Sequence, residues 1–98
     1  MQPTHFLYLL RPPRPSFLVD STDAERAIMG THAAYHRELA AKGKVLMAGP
    51  SLDGAWGVGI LNVIDADEAR RIAEGDPAVT SGLMQFQLHP VAFGIRAP

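Results

Sequence analysis

The feature that most narrows the possible folds is the placement of chain breakers. RPPRPSF, residues 11–17, holds three prolines. Proline lacks the backbone donor and fixes φ, so this stretch can be neither helix interior nor central strand. It reads as a stiff, extended loop carrying Arg11 and Arg14. Such a loop is commonly no more than a solvated connection, and that reading stands beside a functional one. Further breakers fall at Gly43, at Gly49-Pro50, at Gly75 and at Asp76-Pro77.

THFLYLL, residues 4–10, is apolar and aromatic and reads as a first strand. The segment from Asp20 to Gly43 contains the first helix. Ser21, Thr22 and Asp23 are all good N-caps, and Thr22 with Glu25 three positions on forms a capping-box pattern. Gly43 is placed as the stop, with Lys42 in the last turn. Gly30, inside this helix, costs roughly 1 kcal/mol relative to Ala, so a close neighbour or a bend is expected there. KVLMAGP, residues 44–50, is the second strand and SLDGAWG the turn after it. WGVGILNVI, about residues 56–64, is the third strand, which makes 44–64 a hairpin. DADEARRIAEG is the second helix, capped by Asp65 or Asp67, facing inward with Ala69, Ile72 and Ala73, and ended by Gly75. Asp76-Pro77 looks like the cap and first position of one more short turn. LMQFQLHPVAF is a long fourth strand in which Met84, Phe86 and Leu88 alternate with Gln85, Gln87 and His89.

The order β-α-β-β-α-β predicts a ferredoxin-like α+β domain: a four-stranded antiparallel sheet with both helices on one face. The chain of 98 residues, 47% apolar and without low-complexity tracts, fits a single domain over 1–98. The first three strands are apolar almost continuously, which argues against a bare, solvated second face. A homodimer stacking its sheets through that face would cover it. The formal net charge is −1 with no basic patch, which argues against nucleic acid as a partner. No apolar run approaches the roughly 20 residues of a membrane helix, and no basic stretch followed by an apolar run marks a secretory leader. Cysteine is absent, which excludes disulfides and thiol chemistry and fits a cytoplasmic location.

Two residues invite a chemical reading. At about 100° per residue, Ile28, Tyr35 and Leu39 cluster within roughly 40° of the first helix's surface, and His32 lies about 20° beyond them. His36 falls further round, near the expected boundary with solvent. An imidazole on an apolar stripe needs hydrogen-bond partners. It is either a structural histidine bonded to a backbone carbonyl or a working one at a pocket's edge. Asp76 is likewise a routine helix cap before proline, and a capping carboxylate can also accept a bond from an imidazole. His32 and His36 stand at i, i+4, but Ala33 occupies the glutamate position of H-E-x-x-H and no third ligand is evident, so no metal is expected. GVG at 57–59 lies within a strand and Ser51 lacks a nucleophile elbow, so no cofactor is expected either.

THAAYHRELAAKGKVLMAGP, residues 31–50, resembles the hallmark segment of YciI-like (YCII-related domain) proteins: a helix histidine, a Gly-Lys turn and a strand ending in Ala-Gly-Pro. By its distance to the turn, the matching histidine is His32. EGDPAVTSGL, residues 74–83, resembles the family's second hallmark, with Asp76 at its aspartate. The resemblance covers nearly the whole chain in the same order. It implies a ferredoxin-like domain that dimerises through its sheets and an active site built on a His-Asp pair in a pocket at the sheet edge. It also implies acid–base chemistry of the lyase, isomerase or dehydrohalogenase kind, since dehydrohalogenation of a hydroxylated aromatic ring is associated with the family. Related dimeric families include muconolactone isomerases and small monooxygenases. The RPPRPSF loop and the compact 51–56 turn depart from the shortest members and are expected to border the pocket.

On this reading Asp76 accepts a bond from one ring nitrogen of His32 and leaves the other as a base. Arg11 or Arg14 would neutralise an oxyanion or a substrate carboxylate. Tyr8 would donate a further bond, Gly49 would let a ligand approach the backbone, and Ser51 would stand beside it. The ligand is then a small, aromatic or anionic molecule. A binding module without turnover and an assembly partner are the competing classes.

Overall fold

In the computed structural model, which describes residues 3–98, β1 (His5–Arg11) runs through the middle of a four-stranded sheet. Its neighbours are β3 (Gly57–Asn62) and β4 (Gln85–Pro90), and β2 (Val45–Pro50) lies outside β3. The order is β2-β3-β1-β4, with every neighbouring pair antiparallel. This is the expected ferredoxin-like α+β arrangement. The observed bounds trim two strands. β3 is shorter at both ends than the apolar run suggested. β4 stops at Pro90, which has no N–H to give to the ladder.

Alternation along β1 explains the layers. Phe6, Tyr8 and Leu10 are buried, whereas Leu7 and Leu9 are half-buried on the other side. The register places Phe6 opposite Leu61, Tyr8 opposite Gly59 and Leu10 opposite Gly57, so these positions share the helix-covered face. Leu7 opposite Ile60 and Leu9 opposite Val58 form an apolar strip on the uncovered face.

α2 (Asp23–Ala41) begins with the expected capping box: the Thr22 side chain accepts from the Glu25 amide while the Glu25 side chain accepts from the Thr22 amide. It ends before Gly43, whose φ of 74° is open to glycine at little cost. α3 (Ala66–Gly75) is capped by Asp65 and buries Ala69, Ile72 and Ala73. α4 (Pro77–Thr80) is the single turn anticipated after Asp76.

The proline segment departs from expectation. Only its first part is irregular, and α1 (Phe17–Asp20) follows as a helical turn with Phe17 buried in the core. The physical reason is an anchor at each end. Phe17 removes an aromatic ring from water, and Arg14 straps the turn to α2 by donating to Asp20 Oδ1 at 2.8 Å and to both Glu25 oxygens at 2.8 and 2.9 Å. The Arg14 guanidinium and the Thr22 amide together hold the Glu25 carboxyl down to about 2.

A second departure concerns α2. Its one buried residue is His36, not a member of the Ile28–Tyr35–Leu39 stripe. The helix packs on the core through Met29, Tyr35 and Leu39, so its inward direction is rotated from the stripe towards His36. A pattern of apolar residues cannot show this, because the face nearest the sheet carries glycine, alanine and histidine.

Candidate active site

Asp76 sits where α3 ends and α4 begins, and packing fixes its position. A Cβ on Gly75 would come within 2.8 Å of the Tyr35 hydroxyl. With glycine there, Tyr35 reaches over and donates to the Ile72 carbonyl at 2.8 Å. That contact closes α3 on α2 and brings the following carboxylate against the helix face that carries both histidines.

The Asp76 side chain is fully buried and accepts four hydrogen bonds, two on each oxygen. Oδ1 takes the His32 Nδ1–H at 2.7 Å and the Ala78 amide at 2.9 Å. Oδ2 takes the His36 Nε2–H at 2.6 Å and the Tyr8 hydroxyl at 2.8 Å. Burial pushes the carboxyl's pKa up, but the bonds from His32, His36 and Ala78 outweigh it and hold the group well below the ordinary carboxylate value. The carboxylate is therefore ionised and purely an acceptor, so both facing imidazole nitrogens must be donors. Burial, and next the Asp76 charge, push the Tyr8 hydroxyl far above its usual value, which keeps it a neutral donor.

Asp76 thus serves both as the cap of α4 and as the acceptor for His32. The two readings of the sequence meet in one side chain. His32 is half-buried, and its Nε2 has no hydrogen-bond partner among the described residues. Its ring lines a cavity of about 770 Å³ between α2 and the sheet. Small residues open that space. Gly30, Ala33 and Ala40 line it from α2, and Ala48, Gly57 and Gly59 from the sheet. Gly30 accordingly has no close neighbour: a Cβ there would meet nothing within 4 Å. The expected close packing is absent, and the glycine borders open space instead.

The remaining expected residues divide. Tyr8, Gly49 and Ser51 line the cavity. The Tyr8 hydroxyl is engaged by Asp76, and the Ser51 hydroxyl staples its own turn through Asp53 and Trp56. Arg11 and Arg14 do not line the cavity. Arg11 lies over the Trp56 ring at 5.1 Å and Arg14 is committed to Asp20 and Glu25. By alternation along β1, Arg11 shares the Leu7 and Leu9 face, away from the pocket, and Arg14 is held by its two carboxylates. The arginines that do line it are Arg26, bonded to Asp23 and the Ser21 carbonyl, and Arg37, which has no acidic partner among the described residues.

Helical angle alone sets His36 near solvent, and the fold corrects this by burying the ring. Its i, i+4 spacing from His32 was the available signal. The fold also supplies the third potential metal ligand that the sequence lacked: the donor atoms of His32, His36 and Asp76 lie within 4.8 Å of one another. Their disposition is that of shared protons. Each nitrogen meets its own carboxylate oxygen at hydrogen-bond distance, and the other acceptor positions hold Tyr8 and Ala78. A zinc ion would need its ligands about 2.0–2.2 Å from one common point.

No curated protein matches the chain. Among solved structures it is similar to 5-chloro-2-hydroxyhydroquinone dehydrochlorinase from Burkholderia phenoliruptrix AC1100, in complex with 2,5-dihydroxybenzoquinone. The TM-score is 0.67 at 23% identity, covering 91% of this chain and 95% of that one. This likeness establishes the fold. The family model for the YCII-related domain matches residues 6–89, from β1 through β4, with His32 and Asp76 inside the match. The chain belongs to the YCII-related domain family.

Proposed function

We propose that this protein is a small acid–base enzyme acting on a hydroxylated aromatic molecule in the cavity between α2 and the sheet. The observation that carries the reading is the 2.7 Å bond from His32 Nδ1 to a fully buried, ionised Asp76. That bond fixes the tautomer and aims the bare Nε2 at a largely apolar space. Nε2 takes the proton of a ring hydroxyl or of an activated C–H, and Asp76 stabilises the imidazolium that forms. The electron pair released into the ring then expels a leaving group or moves the double bond, and His32 returns its proton to product or water. A cavity of about 770 Å³ accommodates one substituted ring with room to spare. The similar solved structure acts on a chlorinated hydroxyhydroquinone, which supports trying that substrate class first. Arg37 at the cavity wall is the cation placed to meet a substrate carboxylate or oxyanion.

The test is turnover of a panel of halogenated and hydroxylated quinols, followed by halide release and by absorbance. His32→Gln is expected to lower kcat by about 100-fold or more, the range for loss of a general base, with the fold intact by circular dichroism. Retained activity in His32→Gln and Asp76→Asn overturns the reading. Tight binding of the panel without turnover reassigns the cavity to a ligand-holding role, and a stoichiometric protein partner with no ligand affinity to an assembly role.

We also infer a homodimer. Leu7, Leu9, Val58 and Ile60 form an apolar strip on the sheet face that carries no helix among the described residues. Sedimentation of the wild type as a dimer and of Ile60→Lys as a monomer is the expected result. A monomeric wild type at micromolar concentration refutes it.

A further inference from the structure

Two imidazoles share one carboxylate here, at 2.7 and 2.6 Å, with ring centroids 4.5 Å apart. By distance to Asp76 they are equivalent. They differ in what their other nitrogens meet. Both rings border the cavity, but His36 Nδ1 is buried with no hydrogen-bond partner among the described residues, whereas His32 is the half-buried ring of the two. We propose that His36 is a positioning residue: its Nε2–H fixes the Asp76 carboxylate, and the fixed carboxylate holds His32 in the Nδ1–H tautomer that leaves Nε2 free at the cavity.

A neutral imidazole has one N–H to give. In His36 the Nε2 meets Asp76 Oδ2 at 2.6 Å, while Nδ1 is buried with no partner among the described residues, so the proton stands on Nε2. The groups around the ring leave that choice unchanged. Tyr8 from β1 is 5.8 Å away ring to ring and Tyr35 from α2 is 5.4 Å away. Their hydroxyls already donate to Asp76 and to the Ile72 carbonyl, and burial keeps both neutral. Asp76, from the junction of α3 and α4, is the one anion in contact. Arg26 and Arg37 at the cavity wall supply only positive charge.

This accounts for an otherwise costly choice, a polar ring as the most buried residue of α2. An aliphatic side chain at position 36 would leave Oδ2 of a fully buried carboxylate with Tyr8 alone. The carboxylate could then rotate, and His32 would lose the constraint on its tautomer. Glutamine can place an amide N–H close to where His36 Nε2 stands, so it preserves the donor without the titratable ring.

The inference rests on the proposed role of His32 only in its kinetic arm. The full chain, labelled with ¹⁵N, is followed by long-range imidazole ¹H–¹⁵N correlation, which reports the tautomer of each ring. His36 is expected to show an Nε2–H and His32 an Nδ1–H. His36→Gln is expected to retain the His32 Nδ1–H tautomer, and His36→Leu to turn it into a mixture. On any substrate the protein turns over, kcat is expected to fall about tenfold or more in His36→Leu and to stay within about threefold in His36→Gln, the size of effect typical when a positioning contact is lost. An Nδ1–H tautomer at His36 overturns the proposal, as does an unchanged His32 tautomer in folded His36→Leu. If His36→Leu does not fold, the wild-type tautomers and His36→Gln still decide. If no substrate is found but the tautomer pattern holds, the enzymatic reading fails while this one stands.

Discussion

Replacing Asp76 by Asn removes one charge and turns one acceptor atom into a donor, at a site with no solvent. The four bonds to the carboxylate set the size of the effect. The Ala78 amide cannot reverse its polarity, so the Asn oxygen must stay on that side, where it also keeps His32. The amide nitrogen then replaces Oδ2 and faces the Tyr8 hydroxyl and the His36 N–H. Two hydrogen bonds to a charged group are lost, at about 1.5–3 kcal/mol each. Tyr8 can turn to accept, which recovers about 1 kcal/mol. His36 can accept only by moving its proton to Nδ1, which has no partner. The net destabilisation is about 2–5 kcal/mol, a large share of the roughly 5–15 kcal/mol that holds a small domain together. For a chain of this length that corresponds to a Tm lower by roughly 10–40 °C. Thermal melts and urea titration at neutral pH measure it, an unchanged m-value confirming that stability alone moved. An Asn variant within about 1 kcal/mol of the wild type would refute the picture of a carboxylate saturated by four donors.

The same group shapes the acid limb. Asp76 has a folded-state pKa depressed below its unfolded one, so its stabilisation is complete above the ordinary carboxylate value near 4 and drains away as pH falls towards the lower folded value. Melts from pH 7 downward should lose this contribution only below about pH 4, and Asp76→Asn should show a shallower acid limb; parallel loss in both proteins counts against it. Gly30→Ala is expected to stabilise the exposed helix site by about 1 kcal/mol, while Gly30→Leu, filling the cavity, lowers affinity for a hydroxylated aromatic probe about tenfold or more; unchanged binding in the Leu variant removes Gly30 from the ligand's path. Arg14→Met should raise amide exchange at Phe17–Ser21 and leave the histidine resonances in place, whereas a change at His32 would tie the strap to the site. Chelation followed by equimolar zinc should alter neither Tm nor the histidine spectra, and a zinc-dependent rise in Tm would contradict the proton-bridged geometry.

Much of the framework was legible because local chemistry dictated it. Thr22, Glu25 and Gly43 mark the ends of α2 by capping and by positive φ. Asp65 and Asp76-Pro77 mark two more helix starts, and alternation in Met84–His89 assigns the faces of β4. The pair His32 and Asp76 was legible through a family resemblance, and its contact is present. α1 was not legible, because Phe17 becomes helical through a core contact and through Arg14, whose partner Glu25 lies on the next helix. His36 was misplaced for a related reason. Hydrophobic angle locates the apolar face of a helix, and here the buried direction passes through small and polar residues.

What the amino-acid order settled alone is therefore the succession of elements, their caps and the alternating faces, since each depends on neighbours within a few positions. The tertiary structure decided which side chains complete the centre. Tyr8, His36 and Ala78 converge on Asp76 from a strand, a helix and a turn, because Gly75 lets α3 close on Tyr35. A buried charge recruits whatever donors the packing brings within reach, and that depends on distances in space which no local pattern encodes.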